Sequence, residues 1–357
     1  MFEFNKLKQI HLEITNNCQA SCPMCSRNIN SGLDNPLIKN NSWSLTDFQT
    51  VMSQEVLDQL DGFYFCGNFG DPILNNDLIE MCEYATKCAP HLNIRVHSNG
   101  SARNTEWWKR LAKALPKQHN IIFALDGLED THHIYRVGTN FNTILENARA
   151  VIEEGAIAEW VFIKFKHNEH QVEDARALAQ KLGFKTFTVK NSSRFMLDSK
   201  HPVVDRQGRT VYYLEPATEN KMTFITKSDV ENYKDIVDSM EIDCLAKSSK
   251  EIYIDAYKNV FPCCWLASTP YNYISNDAAS VVRNQMKVQY DDLRNTLGNI
   301  NAVEVSIKDI INSDVWQTCW DRYWTDDKLI TCARSCGRSK SVFFAQPRDQ
   351  QTNRDVL

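Results

Sequence analysis

Two periods of apolar and polar residues take turns along the first 190 positions. Short runs rich in β-branched and aromatic residues read as buried strands: QIHLEIT (9–15), GFYFC (62–66), LNIRVH (92–97), NIIFAL (120–125), WVFIKF (160–165) and KTFTVK (185–190). The stretches between them have helical spacing. Residues 46–60 set Phe48, Val51, Met52, Val56 and Leu60 on one face, with Ser44 and Asp47 spaced as a capping signal. Residues 141–154 carry Ile144, Leu145, Ala148 and Ile152 and stop at Gly155, an expected C-cap; residues 171–182 stop in the same way at Gly183, and 104–115 run from Asn104 to Pro116. Six β–α units in series predict an α/β fold with a parallel sheet, curled fully or partly into a barrel. Such a sheet carries its chemistry at the C-terminal ends of its strands.

The rhythm changes after residue 190. Residues 191–240 read as a linker or insertion, with a hairpin expected over Val203–Glu215 around Asp205-Arg206-Gln207-Gly208. Residues 241–357 hold a second group of cysteines and read as a small metal-stapled domain. No fixed-period repeat or low-complexity tract interrupts the chain.

Composition narrows the class. The 357 residues are 43% hydrophobic and 24% charged, ordinary for a globular protein. A net charge of −5 argues against a dedicated nucleic-acid binder. The start, MFEFNKLKQI, lacks the apolar core of a signal peptide, and no apolar run approaches the length of a membrane span, so a cytoplasmic protein without membrane contact is expected. Twelve cysteines in such a setting point to metal ligands or redox chemistry. Three lie at 18, 22 and 25, Cys66, Cys82 and Cys88 follow singly, and six fall between 244 and 336, so two separate cysteine sites are implied.

Cys18-x3-Cys22-x2-Cys25 follows directly on the first strand. Three thiolates in one short loop can hold three corners of a cubane cluster and leave the fourth iron open, as a reactive centre requires. Zinc is the alternative from spacing alone, and it would want a fourth ligand, for which His11 is the nearest candidate. This cysteine spacing after strand one, in a chain of β–α units, resembles the radical S-adenosylmethionine superfamily. The resemblance implies a partial (β/α)6 barrel and an open-site [4Fe–4S] cluster on Cys18, Cys22 and Cys25. It also implies S-adenosylmethionine chelated on the open iron and cleaved to a 5′-deoxyadenosyl radical that takes hydrogen from a substrate. The residue before the third cysteine, usually aromatic in that family, is Met24, an apolar substitute that can pack on adenine.

Further motifs fall at the strand ends. Gly67-Asn68-Phe69-Gly70-Asp71-Pro72 resembles the family's Gly-Gly-Glu-Pro, which lines the methionine amino group; Gly70 permits close backbone approach and Asp71 stands one methylene short of the usual Glu. Ser98-Asn99-Gly100 resembles the family's Thr-Asn-Gly, which implies a contact of Asn99 with the ribose or carboxylate. Ala124-Leu125-Asp126-Gly127 followed by Arg136 keeps the spacing of a Ser-x-Asp-Gly…Arg pattern, with Ala124 in place of the serine and Arg136 suited to the methionine carboxylate. A turn, a strand-end cap and a surface arginine are the plain readings of the same residues.

The second cysteine set, Cys244, the Pro262-Cys263 that ends IYIDAYKNVFPC, Leu297-Gly298-Asn299-Ile300, Cys319 and Cys332-x3-Cys336, resembles the SPASM/twitch auxiliary domain of a radical S-adenosylmethionine subgroup. The resemblance implies one auxiliary [4Fe–4S] cluster on Cys244, Cys263, Cys332 and Cys336, with Cys319 in reserve and Cys264 the weakest candidate. A structural zinc would accept the same four thiolates. The subgroup acts on peptides or small molecules and takes its electron from a reducing partner such as flavodoxin or ferredoxin. An Asp base follows the Pro-Cys in its sulfatase-maturing members; Cys264 stands there instead, which argues against sulfatase maturation. Two other classes fit parts of the pattern: a non-catalytic iron–sulfur or zinc protein, and an RNA-modifying enzyme, which would need a basic groove.

Overall fold

A computed structural model describes residues 2–192, 194–195, 200–219, 227–271, 280–338 and 352–357. Its main strands are β1 (Gln9–Leu12), β2 (Gly62–Phe65), β3 (Asn93–Ser98), β4 (His119–Ala124), β5 (Ala158–Lys164), β6 (Thr186–Asn191), β7 (His201–Val204), β8 (Thr210–Leu214), β9 (Glu251–Ile254), β10 (Val260–Phe261) and β11 (Thr352–Val356). Among the described residues, nine of them form one sheet in the order β10–β9–β1–β2–β3–β4–β5–β6–β11. The seven from β9 to β6 are all parallel; β10 and β11 close the two edges antiparallel. The molecule is thus a mixed α/β protein about a central parallel sheet.

Strand alternation gives the sheet two unlike faces. Ile10, Leu12, Phe63, Phe65, Val96 and Phe123 are wholly buried in one core with Phe48, Leu78, Trp108, Ile144 and Ala179 of the helices. Intervening positions, among them His11, Tyr64, Arg95, His97 and Lys190, carry polar groups to the other face. Sheet and helices therefore share one apolar layer, and the opposite face carries the polar groups.

Local signals explain most boundaries. Ser44 and Asp47 form a complete capping box at Leu45–Val51. The helix expected over 46–60 is instead two, Leu45–Val51 and Gln54–Gln59, because the backbone leaves helical angles at Met52 and Ser53. The periodic residues still reach the core on both sides of the break. Gly183 adopts φ +87° and its N–H closes on Ala179 and Gln180, which ends Val172–Leu182 without the cost a Cβ would carry there.

Strands β7 and β8 make the expected hairpin, turning at Gly208 (φ +76°). It lies on the first cysteine loop: Val204 N–H donates to Asn30 O at 2.8 Å, and a His201 ring nitrogen lies 3.0 Å from Pro23 O. The rest of the 191–240 segment lies partly outside the described residues. The hairpin of β9 and β10 does not stand apart from the main sheet, since β9 pairs with β1 along its whole length. No helix among the described residues is long and apolar enough to cross a membrane.

Candidate active site

The loop after β1 is held from several sides. Cys25 N–H bonds back to Cys22 O at 3.0 Å, Ser21 N–H reaches Val137 O at 2.8 Å, and the Arg27 guanidinium donates to Asn16 O. Cys22 is buried, while Cys18 and Cys25 are half-buried. Burial pushes the Cys22 thiol up to about 11 against the pull of the Arg136 guanidinium, with Cys25 and Asp126 adding repulsion. Burial, then Asp71 and Cys22, likewise raises the Cys18 thiol. The three sulfurs thus share one electrostatic neighbourhood in which thiolates want a cation for company.

The strand-end motifs close around this loop. Asp71, after β2, accepts from the Asn99 backbone N–H at 2.7 Å and from Asn99 Nδ2 at 2.6 Å. Asn99 Nδ2 also lies 3.8 Å from Cys18 Sγ, and Asn99 Oδ1 accepts from Gln19 Nε2 at 2.7 Å. Burial raises the Asp71 carboxyl, opposed by these bonds. The Ser98 hydroxyl also supports the Asp71 carboxylate, and its Oγ accepts from Gly100 N–H at 2.9 Å. Gly70 is required by its neighbours, because a Cβ there would stand 1.8 Å from Thr15 O of the cysteine loop. Met24 is buried with Cys22, Tyr135 and Phe165, and its carbonyl receives the Arg194 guanidinium.

Beyond β4, Arg136 Nε donates to Asp126 Oδ2 at 2.5 Å, and Ile163 N–H donates to the other oxygen at 2.5 Å. Asp126 is 0% exposed and Arg136 16%. Burial pushes the Asp126 carboxyl up while Arg136 pulls it down; Asp126 in turn keeps the guanidinium firmly charged. Arg136 therefore stands between Asp126 and Cys22.

Three contributors escaped sequence reasoning. Glu13 Oε1 accepts the backbone N–H groups of Phe69 (2.8 Å) and Gly70 (3.0 Å), and its other oxygen takes the Tyr253 hydroxyl. Burial lifts its carboxyl to about 7 despite these bonds. The alternation Gln9, His11, Glu13 along β1 was the available sign of an inward acid. Gln19 and Arg194 lie in irregular segments and gave no pattern to read.

The second cysteine set surrounds a cavity lined by Cys244, Cys263, Cys332, Cys336, Trp320 and Trp324, among others. Cys244 and Cys263 each stand just ahead of a short helix, and Cys332 and Cys336 lie one turn apart on Ile330–Cys336. Leu245 N–H lies 3.5 Å from Cys336 Sγ. The Cys244 thiol is raised first by its bond with Cys336, then by burial and by Cys332 and Cys263. Cys319 is elsewhere, its thiol donating to Trp316 O at 3.8 Å, and Cys264 faces Cys66, Glu251 and Glu13. The Trp320 indole N–H finds no acceptor among the described residues, so the cavity wall carries a spare donor that a cluster sulfide would satisfy. Among the described residues no three Cys, His, Asp or Glu side chains close together tightly enough for a single metal ion. A cubane asks less of them, since each ligand binds a different corner.

Comparison with known proteins places the architecture. Streptococcus suis SuiB bound to S-adenosylmethionine aligns with a TM-score of 0.56 at 12% identity, over 96% of this chain and 77% of that one. SuiB bound to precursor peptide SuiA gives 0.54 at 13%, over 87% and 66%. The structure of anSMEcpe with bound AdoMet gives 0.50 at 13%, over 87% and 79%. The chain has their fold. No family model matches it, and neither does any curated protein.

Proposed function

We propose that the chain is a radical S-adenosylmethionine enzyme with a partial (β/α)6 barrel and a C-terminal auxiliary cluster domain of the SPASM/twitch kind. The observation that carries the reading is the convergence, at the C-terminal ends of successive parallel strands, of the Cys18/Cys22/Cys25 loop with Asp71, Asn99 and the Asp126–Arg136 pair. Two of the structures that share the fold hold S-adenosylmethionine or AdoMet, which agrees with it.

In this reading Cys18, Cys22 and Cys25 hold a [4Fe–4S] cluster with one open iron. Bound there, S-adenosylmethionine supplies on reduction a 5′-deoxyadenosyl radical able to take a hydrogen atom from a substrate. The chain's own task is placement and exclusion of water. Asp71 offers a carboxylate to the methionine ammonium, held in position by Asn99. Arg136 offers its guanidinium to the methionine carboxylate while Asp126 fixes its direction. Gly70 keeps the Asp71 loop against the cysteine loop, Ser98 braces the turn at Gly100, and Met24 supplies an apolar wall. Cys244, Cys263, Cys332 and Cys336 hold the auxiliary [4Fe–4S] cluster, the substrate is a peptide or small molecule, and the electron comes from a flavodoxin or ferredoxin.

The test is anaerobic reconstitution with iron and sulfide, then dithionite and S-adenosylmethionine, with 5′-deoxyadenosine as the readout. Parent protein should form it and Cys22→Ala should not. A parent that binds only zinc at the first loop, or a Cys22→Ala variant that still forms 5′-deoxyadenosine, defeats the reading.

A further inference from the structure

Three tryptophans crowd together beside the second cysteine set. Trp316 and Trp320 lie one turn apart on the helix Asp314–Asp321, which widens into a π-helical turn at Arg322–Asp326 that carries Trp324. Such a turn breaks helical regularity and recurs at functional sites. The rings are clamped. Trp316 and Trp320 meet at 5.5 Å and 78°, Trp320 and Trp324 at 5.8 Å and 35°. The Phe2 ring packs edge-on against all three, at 6.1, 6.2 and 6.5 Å. From the same helix the Gln317 side-chain amide holds the Phe2 carbonyl at 2.5 Å, and Lys247 Nζ caps the Trp324 ring at 5.9 Å.

Packing accounts for the rings but not for their N–H groups. All three indole N–H groups are buried, and among the described residues none has an oxygen or nitrogen acceptor. A buried donor left so is a standing cost that native interiors avoid. Trp320 and Trp324 line the cavity ringed by Cys244, Cys263, Cys332 and Cys336, whereas Trp316 does not. Trp320 is 0% exposed, so solvent offers its N–H nothing. The Trp324 N–H already acts on one of the four cysteines: burial, Cys263 and Cys336 raise the Cys332 thiol, and Trp324 opposes them. On the far side of the cavity the Leu245 amide lies 3.5 Å from Cys336 Sγ, so a backbone N–H meets a sulfur there too.

We propose that Trp320 and Trp324 donate their indole N–H groups to the sulfurs of the auxiliary [4Fe–4S] cluster and set its reduction potential. This role rests on the auxiliary cluster of the function proposed above, and it adds two residues outside the ligand set. Reduction places more negative charge on the cluster sulfurs. An N–H dipole aimed at them therefore stabilises the reduced form more than the oxidised one and raises the potential. Trp320 and Trp324 are positioning residues in this sense: they fix how readily the cluster takes an electron without touching iron.

The experiment is a redox titration, followed by electron paramagnetic resonance, of the reconstituted full chain carrying Cys18→Ala, Cys22→Ala and Cys25→Ala. The auxiliary cluster is then the sole iron–sulfur centre, and no outcome depends on S-adenosylmethionine chemistry. Trp320→Phe with Trp324→Phe in that background should disfavour reduction about tenfold, a fall of about 59 mV for a one-electron couple. Trp316→Phe, which removes an indole N–H outside the cavity, should stay within about threefold. Loosened packing alone would admit water and push the potential the other way. A shift of the double variant under about threefold, a rise, or an equal fall in Trp316→Phe overturns the proposal. In the unsubstituted chain, nitrogen-15 labelling of the indoles should give hyperfine coupling to a reduced cluster, and its absence overturns the proposal whether or not the variants fold. A folded chain with the three alanines that takes up no iron removes the auxiliary cluster from the function above and this role with it. One that takes up iron with a potential indifferent to both tryptophans overturns this role alone.

Discussion

Arg136→Met tests whether the Asp126–Arg136 pair is a mainstay of the fold as well as part of the site. Asp126 is 0% exposed, and its two oxygens are taken by Arg136 Nε and Ile163 N–H, each at 2.5 Å. Removing one partner of such a pair costs about 3–5 kcal/mol. The lower end applies here, because the Ile163 bond survives and Asp126 can escape by taking a proton. Burial already pushes that carboxyl up, and only the guanidinium and hydrogen bonds oppose it. In the variant the folded-state value therefore rises further above the unfolded one, so the folded state holds a proton the unfolded state has shed. Stability of the variant should then fall as pH rises from about 4 through the folded value. Its deficit against the parent should be small near pH 5 and about 3 kcal/mol at pH 8. Urea unfolding of the metal-free protein under reducing conditions, followed by tryptophan fluorescence, measures this. Asp126→Asn in the Arg136→Met background should restore at least half the loss at pH 8. A deficit under about 1 kcal/mol at pH 8, or one equal at both pH values, would refute the argument.

Three further outcomes are expected. Cys336→Ala should lower the iron content by about four per chain while 5′-deoxyadenosine still forms; unchanged iron would remove Cys336 from the auxiliary ligands. Glu13→Gln should flatten the pH dependence of stability: the parent carboxyl sits near 7 when folded, so the parent loses up to about 3 kcal/mol as pH rises from about 4.5 to 7. Equal slopes of unfolding free energy against pH in the two proteins would contradict that. Gly100→Ala should cost about 2 kcal/mol or more, because φ is +72° and a Cβ would stand 2.7 Å from Phe123 Cδ1 and 2.9 Å from Ile144 Cγ2; an unshifted melting temperature would refute it.

The six parallel strands and most of their helices could be read from the chain because each is a local matter of period, cap and breaker. Gly183 and the Ser44–Asp47 box end or begin helices through contacts within a few residues. Proximity in sequence likewise made Cys18, Cys22 and Cys25 a recognisable group, and order along the chain put Asp71, Asn99 and Arg136 at strand ends. The break at Met52–Ser53 was invisible, since both halves keep one apolar stripe and only the path of the backbone differs.

What distance in sequence separates, only packing could join. Tyr253 meets Glu13 across 240 positions because β9 adds to the sheet beside β1, and no local signal says which edge a strand will take. The same holds for the cavity that gathers Cys244 and Cys263 with Cys332 and Cys336 while leaving Cys319 outside. The burial that lifts Glu13 and lowers His97 follows from desolvation, which is a property of the assembled sheet. Residue types and short spacings chose the chemistry this chain can hold; the closing of the sheet chose which groups meet, because charge and hydrogen bonding act through space and not along the sequence.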